Sequence, residues 1–326
     1  MDKLKKVGLT ALGTALVSSG AIAADMAVTG GATITLTGGD KVSTGNGWSH
    51  LSSLAFRASA DMDNGWTVST AQNLGKGAIN NANMMVDMGD MGKLEFHTHG
   101  GSSAAGAWDD MLPAANEETW HGLTGASPGG TGPLTDTGFG ADSFKYSVTV
   151  MDGLSAHASY MPSDGATALE SSSAIGVKFT GVEGLEVGYA QGENNKKVAV
   201  TTGNGDATNT GATSIENQVA YAKYAFDSFT VGVQANESDS DTASADTEYS
   251  GIGVSYAVSE DLSLSYAMSE LSFQASADLD QETSALGFSY TQGSMTLSGS
   301  HHKGENLGGT ATRDSDAYEV NLAFAF

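Results

Sequence analysis

The 326-residue chain contains no cysteine, only four prolines, and 14 basic residues against 38 acidic ones. Without cysteine there is no disulfide framework, thiol nucleophile or thiolate metal site, which excludes zinc fingers, iron–sulfur clusters and redox dithiols. The shortage of Lys and Arg, with a formal charge of −24, argues against a nucleic-acid partner, because affinity for phosphate comes from basic side chains. Charged residues make up only 16% of the chain, while glycine is abundant at 43 residues. Each glycine inside a helix costs about 0.8–1 kcal/mol relative to alanine, so long helices are disfavoured.

One apolar run is present, and it lies at the start. Lys3, Lys5 and Lys6 precede the stretch Val7 to Val17, and Ala21-Ile22-Ala23 supplies small residues at signal-peptidase spacing. The run is too short for the roughly 20 residues a membrane-spanning helix needs, so residues 1–23 read as a signal peptide cleaved after Ala23. Cleavage removes three Lys and one Asp, leaving 11 basic and 37 acidic residues in 24–326 and a charge of −26.

Beyond Ala24 the sequence alternates with period two. Tyr318, Val320, Leu322, Phe324 and Phe326 share one parity, and Ala317, Glu319, Asn321, Ala323 and Ala325 the other. The same pattern recurs at Leu54/Phe56/Ala58/Ala60, Phe144/Tyr146/Val148/Val150, Ile252/Val254/Tyr256/Val258 and Leu262/Leu264/Tyr266/Met268. Such alternation predicts strands. Turn signals at Asp63-Asn64-Gly65, Gly89 to Gly92, Asp152-Gly153, Val182-Glu183-Gly184, Asp227-Ser228, Glu260-Asp261 and Gln292-Gly293 predict seven tight turns. Longer polar connections, such as 38–50, 193–214, 237–247 and 304–314, alternate with them. The resulting expectation is sixteen strands: 27–37, 51–62, 65–74, 80–89, 92–98, 142–151, 153–161, 172–181, 184–193, 215–227, 228–237, 247–258, 261–272, 282–291, 294–302 and 315–326.

An even number of antiparallel strands with one apolar face fits a soluble β-protein or a membrane barrel with that face outward. The second face is mostly Gly, Ala, Ser and Thr with scattered charge, which suits a barrel lumen better than a solvated surface. Sequence reading therefore favours an all-β transmembrane antiparallel barrel in the bacterial outer membrane, contacting its lipid.

The signal, the following Ala24-Asp25-Met26-Ala27-Val28, about sixteen strands and the ending Tyr318 to Phe326 together resemble the Gram-negative general-diffusion porin family. The resemblance implies a water-filled channel for passive diffusion of small hydrophilic solutes and ions, a homotrimer, no cofactor, and a terminal Phe326 read by the barrel-assembly machinery. It also implies that the third long connection, about 99–141, folds into the lumen and narrows the pore. That segment holds Pro113, Pro128 and Pro133, two tryptophans, and the carboxylates Asp109, Asp110, Glu117 and Glu118, which by similarity form the acidic side of a constriction. Parity places Arg57, Lys93, Lys145, Lys178 and Lys223 on the polar face, where charge escapes the cost of facing lipid, so they read as the opposing basic wall. Lumenal Asp61, Asp87, Glu95, Glu186 and Glu319 add negative charge, and the expected outcome is weak cation preference.

Other readings have thinner support. An enzymatic barrel would need Ser–His or Asp–His pairs. His97 and His99 share a parity and could be half of a metal site, His157 reads as lumenal, and His301-His302 is an adjacent pair, but no third ligand stands at a recognisable spacing. The carboxylates Asp239, Asp241, Asp246 and Glu248 resemble a calcium loop without its turn glycine and closing glutamate. Loosely bound divalent cations bridging loop carboxylates with one another or with outer-leaflet phosphates are the milder form, and solubility in a salty medium is the rival account of the charge. Gly203-Asn204-Gly205 lacks the strand-to-helix context of a nucleotide loop. A substrate-selective channel and a non-conducting structural or adhesive barrel remain the alternatives.

Overall fold

A computed structural model describes residues 25–40, 47–126, 139, 142–163, 171–201, 207–241, 246–274 and 279–326, without the side chains of 196–201 and 207–213. The signal segment 1–23, Pro128, Pro133 and Gly203 to Gly205 lie outside the described residues.

Sixteen strands close into one antiparallel barrel in chain order, with the last paired to the first. They are β1 (Asp25–Gly39), β2 (Trp48–Asp61), β3 (Thr67–Gly75), β4 (Ala78–Asp87), β5 (Lys93–His99), β6 (Ser143–Met151), β7 (Leu154–Met161), β8 (Ser172–Val182), β9 (Leu185–Thr201), β10 (Ala207–Phe226), β11 (Phe229–Ser240), β12 (Thr247–Ala257), β13 (Leu262–Phe273), β14 (Gln281–Gln292), β15 (Met295–Glu305) and β16 (Ser315–Ala325). The seam is closed by the final residue: Phe326 N–H donates to the Gly30 carbonyl at 2.8 Å, and Gly30 N–H donates to the Phe326 carbonyl at 3.0 Å.

All seven expected tight turns join strand pairs at one rim, from β2–β3 to β14–β15. Two expectations about the other rim are corrected. The connection between β3 and β4 is a turn on Lys76 and Gly77, both with positive φ (51° and 81°), so long loops do not alternate with tight turns throughout. The polar stretch 193–214 is not a loop, because β9 and β10 continue as a paired hairpin out to Thr201 opposite Ala207, with an irregularity between Asn209 and Ala212. Beyond the lipid no face needs to be apolar, so backbone pairing extends the strands where side-chain alternation has ceased.

Register confirms the two faces. Val233 lies opposite Ala222 and Ile252, Ile252 opposite Met268, and Leu264 opposite Tyr256 and Phe288, all exposed away from the lumen except for the partly covered Ala222 and Phe288. Near the tight-turn rim the outward rings of Tyr224, Phe226, Phe229 and Tyr256 stand side by side with centroids 4.5–5.8 Å apart, an aromatic girdle of the kind that marks a membrane interface. At the opposite end of the outward face is an arc of carboxylates. Glu193 faces Glu216, which faces Asp239; Glu237 faces Glu248; Glu270 faces Glu282, which faces Glu305. Like charges directly opposite one another are destabilising, so this arc belongs in water and marks the upper edge of the apolar band.

A cation in the middle of that band is expected to cost about 2–4 kcal/mol. Val233→Arg should lower folding stability in lipid vesicles by this amount, measured by urea titration, whereas lumenal Thr230→Arg should change it far less. Equal effects would overturn the assignment of faces.

Candidate functional site: the loop inside the barrel

After β5 the chain turns into the lumen and follows the inner wall from β7 to β16. Each step is fixed by an inward-facing side chain. Ala104 N–H donates to Ser159 Oγ of β7 at 3.0 Å. Gln234 of β11 accepts from Met111 N–H at 2.6 Å and donates to the carbonyls of Trp108 and Asp109 at 3.0 and 2.7 Å, and Asn236 donates to the same Asp109 carbonyl at 3.1 Å. Ala115 N–H donates to Ser265 of β13 at 2.8 Å, and the Asn116 amide to Ser300 of β15 at 3.0 Å. Buried Thr119 joins the hydroxyls of Ser269 and Thr283 at 2.7 and 2.9 Å. A loop packed against a wall must find partners for its polar backbone, and these amides and hydroxyls supply them.

The two loop tryptophans occupy separate apolar seats. Trp108, at the end of a 3-10 turn (Gly106–Trp108), packs on Ala190, Val219 and Tyr221, edge-on to Tyr221 at 5.7 Å and to His157 at 5.3 Å. Trp120 packs with Leu123, Leu271, Leu307 and Ala317 and meets the Tyr249 ring edge-on at 5.7 Å. Between these seats the wall is cut back. A methyl group at Gly232 would sit 2.5 Å from Pro113 Cδ, and one at Gly251 2.7 Å from Leu112 Cδ1, so the small face of these strands makes room for the loop.

The four loop carboxylates fall into two groups. Asp109 and Asp110 lie beside the β11 amides. The Asp110 carboxyl touches water in the lumen, yet protein crowds it on most sides; this burial, followed by the negative fields of Glu118, Asp109 and Glu117, pushes it up to about 7 against the opposing Lys223 ammonium. Glu117 and Glu118 gather instead around His121. Its Nδ1 lies 3.4 Å from Glu117 and 3.9 Å from Glu118, and its Nε2 lies 3.3 Å from Glu319 of β16. The carboxylates of Glu118 and Glu319, then that of Glu117, raise the imidazole to about 10 against its partial burial. Glu118 is lowered in turn by its contact with His121, and burial raises Glu117. His121 is the member of this cluster that sequence reasoning missed. The signal was present in Glu117-Glu118-Thr119-Trp120-His121, whose i, i+3 and i, i+4 spacing gathers all three on one side of a turn.

The five basic residues all face the lumen, but they do not form one uniform wall. Lys93 pairs with Asp87 at 2.9 Å, and Lys223 pairs with Glu186 at 3.3 Å while lying 5.6 Å from the Tyr221 ring centroid. Lys145 stands opposite Glu95, Lys178 opposite Ser155, and Arg57 between Ala27 and Ala71. Arg57, Lys93 and Lys145 thus lie on β2, β5 and β6, the side that the loop leaves uncovered, whereas Lys223 lies near the loop's acids. Three of the histidines are engaged in packing and pairing, while His99 and His301 are exposed: His97 contacts Glu95 at 3.0 Å, His157 bonds Ser155 at 3.1 Å, and fully buried His302 contacts the Thr119 carbonyl and Ser300 Oγ. Asp241 and Asp246 accept from the backbone N–H groups of Ser214 and Ser240, closing strand ends.

A family model described as Gram-negative porin matches residues 8–297, with a second match over 201–326. No curated protein sequence matches the chain at a significant level. Among solved structures, in-vitro folded OmpT, an outer membrane protein of Vibrio cholerae, superposes with a TM-score of 0.70 at 15% identity, covering 94% of this chain and all of the other. An anion-selective porin from Comamonas acidovorans gives 0.69 at 12% identity, covering 93% and 100%. Salmonella typhi OmpF in complex with daunomycin gives 0.69 at 13% identity, covering 92% and 97%. At such identities the structures speak for the fold, while the family match spans most of the sequence, so that a closed sixteen-stranded barrel and a sequence match converge: the chain belongs to the Gram-negative porin family and forms an outer-membrane barrel.

Proposed function

We propose that the protein is a passive, non-enzymatic diffusion channel with weak cation preference, narrowed by the loop that crosses its lumen. The observation that carries this reading is the placement of Asp109, Asp110, Glu117 and Glu118 on that loop, while Arg57, Lys93 and Lys145 face the lumen from strands the loop does not cover. A transverse field between them orients water and disfavours apolar solutes, and the excess of carboxylate favours cations. Selectivity is set by such residues and not by the fold, since the Comamonas neighbour is anion-selective on a similar barrel.

The signal segment is proposed to be removed during export, and the support is its basic start, its short apolar run and the small residues of Ala21-Ile22-Ala23. Phe326 is proposed as the assembly signal, in keeping with its place at the seam. A homotrimer is also proposed. The outward residues of β1 to β4 include Gly30, Ala32, Ala58, Ala60, Thr70 and Gln72, small or polar groups that suit close packing against protein better than lipid. OmpT of Vibrio cholerae has likewise been solved in a trimer form.

These readings have direct tests. In planar bilayers the protein should show stepwise ohmic conductance, with a reversal potential in a salt gradient that indicates cation preference. Neutralising Asp109, Asp110, Glu117 and Glu118 together should reduce that preference, and unchanged selectivity would remove them from the site. Because the Asp110 carboxyl sits at about 7, cation preference should rise as pH increases from 6 to 8, and Asp110→Asn should flatten this step. For His121 the folded value of about 10 exceeds the unfolded value of about 6.5, so its anchoring is complete below pH 6.5 and is lost as pH rises through 10. The protection of the loop amides, taken relative to the base-catalysed intrinsic exchange rate, should therefore fall over that range in the wild type and show no such step in His121→Gln. In mild detergent without heating, the wild type should migrate as three barrels and Ala58→Arg as one; a single barrel mass for both would sink the trimer.

A further inference from the structure

The turn at residues 117–121 presents three metal-ligating side chains toward one point. His121 N–H donates to the Glu118 carbonyl at 3.2 Å, closing a helical turn that aligns Glu117 and Glu118 with the imidazole. One atom from each, a carboxylate oxygen of Glu117, one of Glu118 and a ring nitrogen of His121, lie within 4.8 Å of one another. Among the described residues these are the side chains brought together in this way. The segment is held on both sides, by Thr119 between the Ser269 and Thr283 hydroxyls and by Trp120 in its apolar seat, so the donors are positioned before any ion arrives.

A separate observation comes from the barrel wall. Glu319, on β16, engages the other ring nitrogen, Nε2, at 3.3 Å, and is itself held by the Asn321 amide at 2.5 Å. A histidine bound to a metal through one nitrogen commonly donates its remaining N–H to a carboxylate, which fixes the tautomer and raises the ligand's basicity. Here Nε2–H directed at Glu319 leaves Nδ1 facing Glu117 and Glu118. A cavity of about 170 Å³ bounded by His121, His302 and Glu319 opens beside the ring.

We propose that Glu117, Glu118 and His121 form a binding site for a divalent transition cation of the zinc class, with Glu319 as the positioning carboxylate. A nitrogen ligand favours such an ion over calcium or magnesium, which take oxygen ligands. The step balances simply: the dication bonds to Nδ1 and to the two carboxylates, and the proton that Nδ1 carries passes to the buffer. The proton and the metal compete for one nitrogen, so binding releases a proton and tightens as pH rises. The site stands on side-chain positions alone, and its effect on conduction rests on the channel reading above. An ion held there places positive charge among the loop carboxylates and should lower cation preference.

The test uses the untagged, refolded mature barrel in detergent, titrated calorimetrically with zinc chloride in two buffers of different ionisation enthalpy. One saturable site per barrel, with a proton released to the buffer, is expected. Binding should be lost in His121→Gln and weakened about tenfold in Glu319→Gln. Because His121 is half-exposed and the strands do not depend on it, both variants should keep the wild-type heat-modifiable gel shift. Cobalt substituted for zinc should give a visible absorption band that is missing from His121→Gln. No saturable site, binding unchanged in His121→Gln, or equal binding of calcium without proton release would overturn the proposal. A barrel that binds zinc but passes no current upholds the site and overturns the channel reading, which separates the two failures.

Discussion

Everything else in this structure depends on the need to satisfy backbone hydrogen bonds where no water is available. A sheet with a free edge cannot persist in hydrocarbon, because each unpaired N–H or carbonyl there costs several kcal/mol. The chain meets this constraint by pairing β1 with β16 along nine residue pairs, from Gly31 opposite Ala325 to Gly39 opposite Ala317, with the Phe326 backbone completing the seam at Gly30. Closure has a second effect. It fixes each side chain as inward or outward with no intermediate choice, because a slip of one residue would exchange the two faces completely. The distribution of charge in the lumen is thus set by the same pairing that allows the barrel to exist.

The loop obeys a similar accounting in a different medium. It leaves the strands and enters a lumen whose wall is polar, so it cannot be held by burial of a continuous apolar surface. It is held at discrete points. Two tryptophans take the apolar seats that exist, and side chains of β7, β11 and β13 meet the loop backbone at Ala104, Met111 and Ala115 while hydroxyls of β13 and β14 meet the Thr119 side chain. Glycines at 232 and 251 are the complement of this arrangement, giving the loop the volume it needs where it lies closest to the sheet. The loop's acids are crowded against one another as a result. Asp110 and His121 are displaced from their ordinary protonation ranges in the same direction for unlike reasons, one by burial and like charge, the other by three carboxylates.

Much of this was legible in the sequence because period-two alternation is a direct consequence of a two-faced sheet. Residues such as Tyr318 to Phe326, or Leu262 to Met268, have one arrangement that keeps their apolar side chains together. The tight turns were equally legible, since Asp-Asn-Gly and Asp-Gly supply the backbone conformations a short hairpin needs. Legibility ended where lipid ended. The hairpin of β9 and β10 above the membrane continues by backbone pairing where apolar alternation has ceased, and the Lys76-Gly77 turn sits between segments that a longer loop would also have joined. In the site, parity identified the inward faces of Lys93 and Lys223 but not their partners Asp87 and Glu186, which depend on register. The same is true of His121. Its neighbours Glu117 and Glu118 are adjacent in sequence, whereas Glu319 comes from the far end of the chain and meets it only because the barrel closes.

The outward arc of carboxylates on β9 to β15 acts on the molecule as a whole. It covers one side of the perimeter, whereas at that end of β1 to β8 the outward described carboxylates are Asp40 and Asp142, just beyond β1 and just before β6. Such an arc works as a waterline drawn on half a hull. Sinking that side by one residue pair would carry carboxylates such as Glu216, Glu237, Glu270 and Glu282 toward hydrocarbon together, whereas the opposite side meets no comparable penalty. The barrel's depth is thus held more firmly on the flank of β9 to β15 than on the other.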